Sequence, residues 1–296
     1  MKEIIFRMIK PVLVVLCLAY SQSSFAQAAE PKIGICLSGG GALGFAHLGV
    51  LKALEENGIH PQIVTGTSMG AIIGVFYSAG YSPDSILVLA QKEKMYRLGK
   101  LLELTLLRKS TGISTHKKLR AILEKYIHTD SFDSLAKSLT VCVTNLDSAR
   151  AEYIGSGNRL KDYVIASASI PGIFELTIID SMRYVDGGVM NNLPAQAIRR
   201  NCDVIIGSDV EQYTMNPVVK KASDVFQLAI KLLVNNTTVE GKKACDYLIA
   251  VPLDGHLSAF SFNRYKDIFF AGYTTAQDYI RQHPDILRYA KKNGTP

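Results

Sequence analysis

The residues with the clearest chemical potential are Gly66-Thr67-Ser68-Met69-Gly70, which follow an apolar run at Gln62–Thr65 and precede a helical pattern opening at Ala71. A serine between glycines at a strand–turn–helix junction is the arrangement of a nucleophile elbow. The turn is tight, and side chains two residues to either side of the serine would collide with neighbouring backbone, so glycine belongs there. The start of the following helix adds backbone N–H groups, that of Met69 among them, and a positive dipole end beside the hydroxyl. The competing reading is a glycine-rich turn that happens to carry a serine.

Ser38-Gly39-Gly40-Gly41-Ala42-Leu43-Gly44 lies between another strand-like run, Lys32–Leu37, and a helical pattern that continues to about Asn57. Consecutive glycines let N–H groups converge on an anionic oxygen. In acyl transfer such a loop makes an oxyanion hole, here from Gly39, Gly40 and Gly41 with Met69. The same letters satisfy G-x-G-x-x-G, the dinucleotide fingerprint, which needs an acidic residue at the end of the second strand. That strand ends in Gly66-Thr67-Ser68, and Glu55 and Glu56 fall within the preceding helix, so the dinucleotide reading is disfavoured. A third segment, Tyr184-Val185-Asp186-Gly187-Gly188, delivers an aspartate into a glycine turn. Asp-Gly is common at ordinary strand ends; beside a serine elbow and a glycine loop, Asp186 becomes a candidate base.

A serine nucleophile often works with histidine. His256 follows Ser68 and Asp186, so the order Ser…Asp…His is formally present. A serine after the second strand is early for that fold, however. His47, three residues into the first helical pattern, is expected to pack or cap there.

The elements that must position these residues alternate along the chain. Leu139–Asn145 and Ala151–Ile154 read as a strand pair around a turn, and Met182–Val185, Val204–Asp209 and Tyr247–Pro252 as further strands, with Pro194–Arg200 helical. Alternation of this kind predicts an α/β fold with a largely parallel sheet covered on both faces. No repeat or linker divides the chain, so one domain is expected over residues 27–296, its core at about 32–210 and a C-terminal strand and helices over 211–296.

The first 26 residues read as a secretory signal peptide: basic Lys2, Arg7 and Lys10, an apolar run from Val12 to Ala19, and small residues at Ser24 and Ala26. Export to the periplasm or the medium follows as an expectation. A transmembrane anchor is the weaker reading because the apolar run is too short to span a bilayer, and lipidation at Cys17 is a third, weakened by Leu16 before it. Removing residues 1–26 takes away three basic residues and Glu3, lowering the net charge from +7 to +5. That excess suits anionic surfaces, and without a dense basic block or any Trp it gives no specific sign of nucleic-acid binding. There is no Cys-x-x-Cys pair to suggest a zinc or redox centre. Cys202 and Cys245 each precede an Asp and an apolar run; if those runs are neighbouring parallel strands, the sulfurs start level and could pair. Lys92–Lys109 places Met95, Leu98, Leu101, Leu102 and Leu106 at helical spacing among basic residues. It reads either as a core-facing helix with a basic outer face or as a segment lying on an anionic membrane.

The three motifs in this order resemble the patatin-like phospholipases. The likeness extends through Gly44-Phe-Ala-His-Leu-Gly-Val-Leu-Lys-Ala-Leu-Glu, Ala166-Ser-Ala-Ser-Ile-Pro-Gly-Ile-Phe and Asn191-Asn192-Leu193-Pro194. It is close over roughly residues 32–210. The resemblance implies a three-layer α/β/α fold and a calcium-independent acyl hydrolase using a Ser68–Asp186 dyad without histidine or cofactor. Its substrate would be a phospholipid, lysophospholipid or related lipid ester; peripheral membrane contact follows only from the membrane-lying reading of Lys92–Lys109. One departure is Leu43, where many relatives carry Arg or Lys. The rival class is a catalytically silent lipid-binding or envelope scaffold of the same fold.

Overall fold

The computed structural model describes residues 30–95, 116–211, 219, 222–253 and 257–291. The expected signal peptide, His256 and most of the basic amphipathic stretch lie outside them. Among the described residues eight strands build one sheet: β1 (Ile33–Leu37), β2 (Ile63–Thr67), β3 (Ser138–Asn145), β4 (Arg150–Ile154), β5 (Thr177–Ile179), β6 (Met182–Asp186), β7 (Val204–Asp209) and β8 (Tyr247–Ala250). The helices are α1 (Phe45–Glu56), α2 (Met69–Ser78), α3 (Pro83–Lys92), α4 (His116–Tyr126), α5 (Leu160–Ser167), α6 (Ala222–Thr237), α7 (Val239–Ala244) and α8 (Tyr265–Gln282). The described residues from Pro31 onward form one compact unit.

Pairing runs β5–β6–β3–β2–β1–β7–β8, with β4 also on β3. The pairings among β3, β2, β1, β7 and β8 are parallel, whereas β4 and β6 run antiparallel to β3, and β5 to β6. The expected mainly parallel sheet is present, with an antiparallel extension at one side.

Strand β1 is buried along its whole length, and its side chains divide between two cores. Ile33, Ile35 and Leu37 join the main cluster with Leu48 and Leu51 of α1 and Ile268 and Phe269 of α8. Cys36 points the other way, into a cluster with Ala195 and Ile198 of a 3-10 segment, Ala195–Asn201. Strand β7 does the same, Val204 and Ile206 against Ile205. Successive strand residues point to opposite faces, so an unbroken apolar run requires cover on both. That is the three-layer arrangement.

Helix α3 begins with Ser82 capping the Ser85 N–H at 3.2 Å and Pro83 in its first turn. It ends at Lys92, and Lys94 takes a φ of 53°, so the helix stops where the basic amphipathic stretch was expected to start. The Cys202–Cys245 pairing is not formed. Their strands are parallel neighbours as supposed, but Ile206 faces Tyr247, which offsets the two cysteines by two residues. Both are free thiols, Cys202 packed toward Gly34 and Cys245 toward Gly207.

Candidate active site

The register of β3 explains how two distant segments meet. Val141 and Cys142 pair with both β2 and β4, so those two strands occupy opposite edges of β3. Val143–Asn145 pair with both β4 and β6, which puts β6 on the same edge as β2. Because β2 is parallel to β3 and β6 antiparallel, the two run toward each other along that edge. Thr67 sits opposite Cys142 and Asp186 opposite Val143. Ser68, the next residue after β2, therefore arrives beside the last residue of β6.

Ser68 has φ 55° and ψ −120°, a strained conformation that turns its side chain out between β2 and α2. The flanking glycines make that turn possible. A Cβ on Gly70 would lie 2.2 Å from the Leu37 carbonyl oxygen, and one on Gly66 would meet the Gly70 backbone at 2.6 Å. These neighbours are backbone and cannot swing aside. Gly70→Ala is expected to lower stability by about 3 kcal/mol or more, read as a fall in the midpoint of denaturant unfolding.

Both candidate residues are braced from one segment. The Ser68 N–H donates to Ser167 Oγ at 2.9 Å, and Ser167 in turn donates to the Cys142 carbonyl at 2.7 Å. The Asp186 N–H donates to the Ser169 carbonyl at 2.9 Å, while Thr144 Oγ1 donates to the Asp186 carbonyl at 2.9 Å. The stretch Ala166-Ser-Ala-Ser thus fixes Ser68 through Ser167 and Asp186 through Ser169. No chemical signature singles out these serines in the sequence, since their work is done through one hydroxyl and one backbone carbonyl.

Asp186 is buried, 6% exposed as a residue. Burial pushes its pKa up to about 6, and hydrogen bonds from the Ser68 hydroxyl and the Gly188 N–H, the latter at 2.8 Å, hold it back from rising further. A carboxylate poised near neutrality with a serine hydroxyl as partner can accept that hydroxyl's proton.

The glycine loop lies against Ser68, but its members differ. Gly39 donates its N–H to the Asn192 carbonyl at 3.1 Å, so that group, expected to face an oxyanion, is already committed. What Gly39 contributes is the missing side chain: a Cβ there would sit 2.3 Å from Asn192 Oδ1 and 3.2 Å from Ser68 Cβ. Gly40 and Gly41 have φ of 155° and 55°, and among the described residues their N–H groups donate to no protein acceptor. Met69, first residue of α2, has no preceding turn to accept its N–H. Gly40, Gly41 and Met69 are therefore the donors left for a ligand.

An open cleft leads to Ser68, Met69 and Gly41. Its walls are mostly apolar, with Ile72 from α2, Ile122 from α4, Met95, Phe174, Phe260 and Phe262. The polar side chains that reach it besides Ser68 are His116 and Lys118, in the first turn of α4. His116 lies against Phe174, ring centroids 5.3 Å apart, and its Nε2 is 2.8 Å from the Glu175 carbonyl. Ala259 closes the loop side, accepting the Ala42 N–H at 2.8 Å. The sequence offered no signature for these walls; their apolar side chains are of the kind that fill any core.

His47 is not beside the carboxyl. It is fully buried behind the glycine loop with both ring nitrogens bonded, and burial pushes its pKa down to about 4. It packs, as expected of it. Among the described residues no three His, Cys, Asp or Glu side chains are grouped to hold a metal ion.

A family model described as patatin-like phospholipase matches residues 35–198. The chain is similar to the lysophospholipase NTE1 of Kluyveromyces lactis, 23% identical over 280 residues that cover 84% of this chain and 19% of that protein. It is similar also to the lysophospholipase nte1 of Emericella nidulans, 34% identical over 182 residues, 60% of this chain and 12% of the relative. The chain thus spans a fifth or less of the length of these curated relatives. Among solved structures, VipD from Legionella pneumophila covers 86% of this chain and 68% of its own at a TM-score of 0.49 and 16% identity.

Proposed function

Because the chain belongs to the patatin-like phospholipase family, we propose that it hydrolyses fatty-acyl esters of phospholipids or lysophospholipids, with Ser68 as nucleophile and Asp186 as base. The observation that carries this reading is the head-on meeting of β2 and β6 on one edge of β3, which sets the strained Ser68 against a buried carboxyl. Ser68 Oγ attacks the ester carbonyl as its proton passes to Asp186. The N–H groups of Gly40, Gly41 and Met69 face the developing oxyanion. Collapse of the tetrahedral species expels the alcohol, which takes the proton from Asp186, and leaves an acyl-serine. Water activated by the same carboxylate then releases the fatty acid and restores the serine. A carboxylate is a weaker base than imidazole, so the pair relies on proximity and on a site screened from water.

The cleft suits such a substrate. Its apolar walls match an acyl chain, and Lys118 and His116 at the first turn of α4 match an anionic headgroup. Release of fatty acid from a lysophospholipid by the purified protein tests the reading; a well-folded preparation with no turnover and no covalent capture of Ser68 would favour a silent scaffold.

The base must be ionised to act. With the Asp186 pKa pushed up to about 6, kcat/KM is expected to be flat above about pH 7, to halve near pH 6 and to drop about tenfold per unit below it. A pH–rate profile with an uncharged ester checks this. An exposed carboxyl of ordinary pKa would instead keep the rate flat to about pH 5 and halve it only near pH 4.

Export through residues 1–26, ahead of a single domain over residues 27–296, belongs to the same proposal. Its support is the basic, apolar and small-residue order of that segment. No single helix among the described residues is long and apolar enough to cross a membrane.

A further inference from the structure

His47 is the one fully buried histidine among the described residues, and the chemistry above leaves it unused. Its Nε2 is 2.8 Å from the Ser38 carbonyl oxygen and its Nδ1 2.8 Å from Ser208 Oγ. A carbonyl only accepts, so Nε2 carries the proton and Nδ1 accepts from the Ser208 hydroxyl. Burial keeps the ring neutral, with a pKa near 4.

What this bond holds is a single peptide unit. The Ser38 carbonyl and the Gly39 N–H belong to the same plane; His47 grips the one, and the Asn192 carbonyl grips the other at 3.1 Å. Ser38 is further tied to the end of β7, its N–H donating to the Ser208 carbonyl at 3.1 Å and its Oγ accepting the Val210 N–H at 3.1 Å. The next two N–H groups along the chain are those of Gly40 and Gly41, which have no side chains to restrict them. Their direction depends on how the preceding peptide plane is set. Glycine is the residue with most freedom to lose, so a loop of three needs such external fixing.

We propose that His47 is a positioning residue: through its Nε2–H bond to the Ser38 carbonyl it orients the glycine loop so that the Gly40 and Gly41 N–H groups face the oxyanion. The inference rests on the assignment of those N–H groups under the proposed function. Loosening the clamp leaves the substrate-binding walls intact and weakens contacts made in the transition state, so the loss falls on kcat rather than KM.

The test compares four variants with wild type on a lysophospholipid. His47→Phe keeps bulk and removes the donor; it is expected to lower kcat about tenfold to a hundredfold with KM within about twofold. His47→Gln returns an N–H at a similar reach and is expected to recover kcat to within about fivefold of wild type. Ser208→Ala leaves the ring in place but frees its tautomer, giving a loss between these two, and keeps the test alive should His47→Phe not fold. Val50→Ala, a cavity variant in the same buried helix, is expected to lower the unfolding midpoint while leaving kcat within about twofold. The inference is overturned if His47→Phe retains kcat within about threefold, if Gln gives no recovery, or if Val50→Ala loses kcat as steeply. Hydrolysis at an undiminished rate in Ser68→Ala would overturn the assignment of the nucleophile under the proposed function, and the inference with it.

Discussion

Ser68→Ala is expected to lower kcat for lysophospholipid hydrolysis by a factor on the order of 10⁴–10⁶. Among the described residues no other side chain in the cleft combines a nucleophile with a buried base. His116 lies in the first turn of α4 with its Nε2 turned toward the Glu175 carbonyl, and Lys118 Nζ reaches the Lys94 carbonyl at 3.4 Å. The glycine loop and the Met69 N–H remain in the variant, so a residual acceleration over the uncatalysed rate persists. The fold is retained, because the Ser68 backbone N–H stays on Ser167 and the only bond lost is that of its hydroxyl to the Asp186 carboxyl, which keeps the Gly188 N–H. Alanine tolerates a φ of 55° about as poorly as serine, so the free energy of unfolding changes by less than about 1 kcal/mol. Fatty-acid release and denaturant unfolding measured on the same preparation separate loss of chemistry from loss of structure.

Asp186→Asn is expected to cost a factor on the order of 10³–10⁴ in kcat and, at neutral pH, to raise stability. The amide keeps the shape and can still accept the Gly188 N–H, while the backbone stays pinned by Ser169 and Thr144. What disappears is the group that takes the serine proton. The stability effect has the opposite sign for a reason in the pKa. Folding raises it from 3.8 to about 6, so ionisation is costlier in the folded state than in the unfolded one. That handicap is absent below about pH 3.8, grows as the pH rises through about 6, and is complete above it. A neutral side chain escapes it, so the variant melts higher than wild type at pH 8, and the gap closes as the pH falls toward 4. Unfolding curves at the two pH values check the sign.

Much of this site is legible in the sequence where its chemistry is local. The serine elbow is specified by Gly66 and Gly70, whose missing side chains are demanded by contacts as near as 2.2 Å. Strands β1 and β7 are legible because burial on both faces forces an unbroken apolar run. Asp186 is legible mainly through family resemblance, since an aspartate before two glycines also suits an ordinary turn.

Other features depend on register and on long-range contact, which a one-dimensional pattern does not carry. That Gly39 spends its N–H on Asn192 follows from how residues 191–192 cross behind the loop. The two-residue offset of Cys202 and Cys245 depends on how β8 pairs with β7, and their flanking residues look alike either way. The cleft walls from α4 and from residues 259–262 are ordinary apolar positions until the fold brings them to Ser68. Ser167 and Ser169 are the instructive case: they brace the two candidate catalytic residues, yet only their place in a family-like segment marks them.

Covalent capture by a fluorophosphonate probe tests the central claim most directly, with the modified residue located by peptide mass mapping. The account predicts one adduct on the folded protein, on the peptide that carries Ser68. Labelling should vanish in Ser68→Ala and after thermal unfolding, and should slow by about a hundredfold or more in Asp186→Asn. An adduct on another residue, or labelling of Ser68 that proceeds at an undiminished rate without Asp186, would contradict the Ser68–Asp186 pair.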